Sequence, residues 1–182
     1  MKITLKNVRL AFPALFEAKT VAGEGDPAFS ATFILAADSP SIAEVNAAID
    51  AVAKEKWGAK ADGILKSARA SGKVCLRSGD DKAQYDGFEG NFYISARSKV
   101  RPLIADRDKT PLTEQDGVIY AGCYVYAVLE LWAQDNNYGK RVNAQLKTVQ
   151  FFRDGDAFSG GGRPGTEDDL EDLTEGADAD LA

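Results

Sequence analysis

Hydrophobic and polar positions alternate along much of this chain with the period of two that puts successive side chains on opposite faces of a β-strand. Lys2 to Phe12 is the first such stretch, with Ile3 and Leu5 on one face and Lys2, Thr4 and Lys6 on the other. A Gly-Glu-Gly-Asp-Pro turn at 23–27 leads into a second strand, AFSATFILAA, at 28–37. The period then lengthens. Ser39 and Pro40 read as a helix N-cap and first helical residue, and Ile42, Val45, Ala48, Ile49 and Val52 recur at three- and four-residue spacing up to Trp57 and Gly58. A shorter helix is expected from about Asp62 to Ala70, with Ile64, Leu65 and Ala68 facing inward. From residue 73 the strand pattern returns in KVCLR, GNFYISARSK, VIYAGCYVYAVLELWA and KRVNAQLKTVQFF, and there is no internal repeat. Strands, a helical insertion at about 39–70 and more strands predict a mainly β domain over residues 1–153, a five-stranded antiparallel barrel. An α+β sandwich is the alternative.

The two faces of the later strands differ in chemistry. In 91–99, Phe92, Ile94 and Ala96 form an apolar row, while Asn91, Tyr93, Ser95, Arg97 and Lys99 share the other face. In 118–132 the odd positions from Ile119 to Leu131 are all apolar and leave Tyr120, Tyr124, Tyr126, Glu130 and Trp132 opposite. In 141–147, Val142, Ala144 and Leu146 point in, and Arg141, Asn143, Gln145 and Lys147 point out. A sheet surface that mixes rings with cations suits single-stranded nucleic acid, because every base has a π-face to stack and neighbouring cations follow the phosphates. Half-buried strands favour aromatic residues in any fold, so the same tyrosines are also explained by packing beneath the helices of residues 39–70. The loop SGDDKAQYDGFEGN at 78–91 adds Lys82, Tyr85 and Phe88, and RSKVRP at 97–102 adds Arg97, Lys99 and Arg101.

Charge complicates that reading until it is located. The 182 residues carry a formal net charge of −6 and a pI near 4.8. Residues 154–182 hold ten acidic residues against one basic residue, Arg163, a net of −9, so the rest of the chain is left with 21 basic and 18 acidic residues, a net of +3. The acidity belongs to a tail that opens with Gly-rich FSGGGRPG and continues TEDDLEDLTEGADADLA. Such a composition buries too little apolar surface to offset the entropy of ordering, so residues 154–182 are expected to be a disordered tail spanning roughly 30 Å as a coil. Its carboxylates, Glu167, Asp168, Asp169, Glu171, Asp172, Glu175, Asp178 and Asp180, are expected to compete with nucleic acid for the basic surface and to dock partner proteins; a purely solubilising tail is the plainer alternative.

Other chemistry is scarce. There is no histidine, which excludes Ser-His-Asp and Cys-His arrangements and histidine metal sites. Cys75 and Cys123 lack CxxC spacing and read as small buried hydrophobes of a reducing compartment. The pairs Asp80-Asp81, Asp106-x-Asp108 and Asp154-x-Asp156 lack the further glutamate or lysine of a nuclease, so no metal, cofactor or enzymatic activity is expected. The longest apolar runs, ILAA at 34–37 and YVYAVLELWA at 124–133, fall short of the roughly 20 residues that cross a bilayer, and the N-terminus lacks a signal peptide's unbroken apolar stretch. A cytoplasmic protein without membrane contact is expected.

With these residues assembled, the chain resembles a phage family of single-stranded DNA-binding proteins with an OB-fold. The resemblance covers most of residues 3–163. It rests on NVRLAFPALFEAK at 7–19, DKAQYDGFEGNFYISARSKVRP at 81–102 and GCYVYAVLELWAQDNNYGKRVNAQLKTVQFFRDGD at 122–156. It implies an OB-fold-like barrel, no catalysis, and protection of DNA during replication or recombination in an infected bacterial cell. Pattern and resemblance together nominate Lys82, Tyr85, Tyr93, Arg97, Lys99, Arg101, Tyr124, Tyr126, Trp132, Arg141 and Lys147 as the DNA-binding residues. Some phage single-strand-binding proteins end in an aromatic residue, whereas this chain ends Ala-Asp-Leu-Ala. Three other functions fit less of the pattern: a strand-annealing recombination protein, a protein-interaction module whose tail mimics nucleic acid, and a small nuclease.

Overall fold

The computed structural model describes residues 1–21, 24–158, 170, 171 and 173. The strands are β1 (Lys2–Val21), β2 (Glu24–Leu35), β3 (Leu76–Ser78), β4 (Phe92–Ser98), β5 (Leu103–Ala105), β6 (Tyr124–Asn136) and β7 (Gly139–Arg153). Two helices, α1 (Ser41–Trp57) and α2 (Ala61–Ala70), intervene between β2 and β3. β1 pairs antiparallel with β2 on one side and β6 on the other, β2 continues to β4, and β6 continues to β7. The ring closes where Arg97 of β4 meets Gln145 of β7 in parallel register. The result is the expected mainly β fold, a closed five-stranded barrel of OB type. Its one parallel seam is a detail that alternation within single strands does not contain. β3 pairs with the Phe92–Ile94 end of β4, and β5 runs beside β7 at Thr148–Gln150.

Leu5, Leu10, Phe33, Ile94, Val125 and Leu129 fill the barrel, and Ile49 of α1 and Leu65 of α2 join the same core. The helices therefore pack into the barrel's interior cluster rather than over its outer tyrosines. α1 begins at Ser41, one residue later than the cap signal suggests, yet Ser39 Oγ still accepts the Ser41 N–H at 3.2 Å. The strand expected from Val118 begins only at Tyr124, because Gly122 sits at φ 111 in a turn; from Cys123 onward the apolar row is buried as expected.

Bulges bend β1, as closing a barrel requires. Asn7 has φ 53 between the paired positions Leu5 and Val8. Phe12, followed by Pro13, has φ 47 where the β1–β2 register shifts between Ala11 and Ala14. In β7 a shift beside Lys147 moves the inward positions from Ala144 and Leu146 to Val149 and Phe151.

The chain stays on the barrel beyond residue 153. Tyr120 donates its hydroxyl hydrogen bond to Asp154 Oδ1 or the Gly155 carbonyl, each at 2.9 Å. Arg9 donates to the Asp156 carbonyl at 2.6 Å, and the Phe158 N–H donates to the Ala121 carbonyl at 3.1 Å. Of the tail carboxylates, Glu171 is exposed, and Glu167, Asp168, Asp169, Asp172, Glu175, Asp178 and Asp180 lie outside the described residues.

Candidate nucleic-acid interface

The parallel seam creates the site. Because β4 and β7 meet at Arg97 and Gln145, their outward rows flank one groove of about 750 Å³. Ser95 and Arg97 line it from β4 and Lys99 from just beyond that strand, Arg141, Asn143 and Gln145 from β7, and Glu130 and Trp132 from β6. Lys73 and Arg77 enter from the segment after α2. Five cations and one carboxylate thus line the groove around Trp132, which is 46% exposed, and one of the cations, Arg77, also pairs with Asp81 at 3.8 Å. Asn143 stands opposite Trp132 in the β6–β7 ladder and donates to Gln134 Oε1 at 2.9 Å, which fixes the groove floor beside the ring. Lys147 pairs with Glu130 at 3.5 Å, which partly offsets the charge of that acid. Lys99 reaches Asp26 at 3.2 Å, but both side chains are largely in solvent, where such a pair is weak and readily exchanged for a phosphate.

The remaining nominated residues are dispersed. Tyr93 shares the outward face of β4 but is only 1% exposed, because residues 79–91 fold over it and seat Phe88 edge-on at 5.4 Å. A base cannot reach its face in this arrangement, which sets Tyr93 apart from the exposed residues nominated with it. Its hydroxyl has no hydrogen-bond partner among the described residues, and burial pushes its pKa up. Lys82 stands 5.3 Å from the Tyr93 ring, and Tyr85 is 45% exposed on the outside of the same cover. Tyr124 is flanked by the guanidiniums of Arg153 at 3.7 Å and Arg9 at 6.0 Å, and Tyr126 leans on Phe152 at 5.1 Å. Both lie at the far end of β6, about 20 to 27 Å along the strand from Trp132. Arg101 sits 5.6 Å from the Phe29 ring. Tyr120, on the nominally open face, is buried against Asp154 and Gly155.

Sequence reasoning missed Lys73 and Arg77, although the alternation of KVCLR already sets Lys73, Cys75 and Arg77 against Val74 and Leu76. It also missed exposed Tyr138 at the β6–β7 hairpin tip, where the signal was an aromatic residue inside the turn Asn-Asn-Tyr-Gly. The acidic pairs serve local structure: Asp80 accepts the Gly90 N–H at 2.9 Å and Asp108 accepts the Thr110 N–H at 3.0 Å, a bond that lowers the Asp108 pKa. Among the described residues no cluster of three or more potential metal ligands occurs, and no helix is long and apolar enough to cross a membrane.

The model of the Enterobacter phage Enc34 single-stranded DNA-binding protein family matches residues 1–181. The chain belongs to that family. A relative from Acyrthosiphon pisum secondary endosymbiont phage 1, described as putative protein p50, is 48% identical over 184 residues, covering 100% of this chain and 98% of the relative. The bacteriophage Enc34 single-stranded DNA-binding protein, solved in complex with single-stranded DNA, superposes with a TM-score of 0.75 at 28% identity, covering 87% of this chain and 89% of that one. The single-stranded DNA-binding protein gp2.5 of bacteriophage T7 matches with a TM-score of 0.60 at 12% identity over 94% and 97% of the two chains, a similarity of fold alone.

Proposed function

We propose that this chain binds single-stranded DNA without catalysis and with little sequence preference, in the replication or recombination of phage DNA inside an infected cell. The acidic C-terminal segment, in this reading, competes with DNA for the basic groove and recruits replication or recombination proteins. The observation that carries the proposal is the groove itself, in which Lys73, Arg77, Arg97, Lys99 and Arg141 surround half-exposed Trp132. Cations placed this way follow a phosphate backbone, and an indole accepts any base at about 1 to 3 kcal/mol of stacking. Membership of the Enc34 family supports the same ligand.

Fluorescence anisotropy of labelled oligothymidylate across a salt series tests this. Binding is expected to be tight at low salt and to fall linearly in log–log form, by about 0.7 per phosphate neutralised. Arg97→Ala and Arg141→Ala should each lower that slope by about 0.7, whereas Trp132→Ala should weaken binding roughly tenfold with the slope unchanged. No binding at low salt refutes the proposal.

A further inference from the structure

We infer that Phe12 and Tyr85 form a second base-stacking platform, on which a strand leaving the groove lays another nucleobase. The inference rests on the single-strand-binding reading above and extends it to a place outside the groove.

The first observation is the direction of Phe12. Leu10 is in the barrel core and Ala11 is in the outer cluster with Tyr93, so alternation would return Phe12 to the interior. Instead its φ of 47, at the β1–β2 register shift, turns the ring outward, where it is 49% exposed. Positive φ is unfavourable for a bulky residue, and the following Pro13 restricts it further. Bulges that re-aim a side chain and strained residues of this kind concentrate at binding sites.

The second observation is what Phe12 meets. Its ring lies 5.0 Å from that of Tyr85 at 82°, and both are about half exposed. Phe88, buried to 1%, supports it from 5.9 Å. Lys82 Nζ is 5.6 Å from the Phe12 centroid, so a cation stands beside the rings where a phosphate would pass.

The third observation is continuity. Arg77 lines the groove and stands 5.7 Å from the Tyr93 ring, while Lys82 stands 5.3 Å from that ring and beside Phe12. Groove, Arg77, Lys82 and platform follow one another over the cover formed by residues 79–91. Single-stranded nucleic acid, with bases and phosphates in alternation, matches that sequence of rings and cations.

Phe12→Asn removes the ring and eases the backbone, since Asn tolerates positive φ. With oligothymidylates of about 4 and about 16 nucleotides, the range of site sizes for such barrels, the longer should lose roughly tenfold in affinity and the shorter little. The salt slope should stay constant because no phosphate contact is lost. Phe12→Tyr should restore affinity, and an iododeoxyuridine oligonucleotide should cross-link the native chain at Phe12 or Tyr85. Native affinity of Phe12→Asn for the longer oligonucleotide, with no cross-link at either ring, overturns the platform and leaves the groove reading intact. Equal loss at both lengths together with a lowered melting temperature also overturns it, by showing that Phe12 holds the cover in place. If the native chain binds neither length, the function proposed above fails and the platform falls with it.

Discussion

Tyr93 and Trp132 both stand on outward faces of barrel strands, yet one is 1% exposed and the other 46%. Alternation assigns a side chain to a face of its sheet; it carries no information about what crosses that face later. Residues 79–91 cross Tyr93, and among the described residues no element covers Trp132, so the groove was legible in Arg97, Lys99, Trp132 and Arg141 while the fate of Tyr93 was not. The cysteines divide between the rows: Cys123 follows the inward row and is buried, whereas Cys75, on the row of Lys73 and Arg77, is half-buried. Burial pushes the Cys75 thiol from 9.0 up to about 12, against weaker opposing backbone hydrogen bonds. In the folded chain the thiol keeps its proton between these values, whereas the unfolded chain has released it. The contribution to stability is therefore present in full below pH 9 and is lost as pH rises towards 12. Melting temperature should fall across that window, and Cys75→Ala should lessen the fall relative to the native chain. Identical alkaline profiles for the two proteins would contradict this assignment.

At the scale of elements, periodicity located both helices and the barrel strands, because each buries one regular face. It failed where a residue is inserted into the pattern. The bulge at Phe12 and the shift beside Lys147 change the parity of the inward positions, and Gly122 breaks an apolar row that reads as continuous strand. The 78–91 loop, which its sequence marks only as a source of Lys82, Tyr85 and Phe88, lies on the barrel over Tyr93. Gly79 shows how closely. Its N–H donates to the Asn91 carbonyl at 2.7 Å, and a Cβ there would overlap the Phe88 carbonyl oxygen. Gly79→Ala must therefore push the Phe88 end of the cover off Tyr93. Hydrogen exchange should accelerate in 79–91 and leave the β1, β6 and β7 amides protected, since the cover and the main core form separate apolar clusters. Protection of 79–91 equal to the native chain would show that the cover adjusts without detaching.

For the whole molecule, the decisive quantity is where the charges lie. Residues 159–182 carry eight carboxylates and one arginine, a net of −7, so the rest of the chain is left with 21 basic and 20 acidic residues, a net of +1. The body holds the start of that segment in a fixed place: Phe158 stands 4.1 Å from the Arg9 guanidinium, and a Cβ on Gly87 of the cover would touch its ring at 3.2 Å. The segment thus leaves the body beside the same cover whose other side borders the groove through Arg77. Under the proposed function, a polyanion tethered there would compete within the molecule, at an effective concentration of about millimolar. Truncation after Phe158 should tighten oligonucleotide binding most at low salt. The advantage should shrink as salt rises, because attraction between tail and groove is screened over about 10 Å at 0.1 M. Truncation before Asp154 should behave differently. It deletes the partners of Tyr120 and Arg9 as well, and is expected to lower the melting temperature, which truncation after Phe158 leaves unchanged. Equal affinities for the native chain and the Phe158 truncation at every salt concentration would refute competition, and would leave the segment to act on partner proteins rather than on the groove.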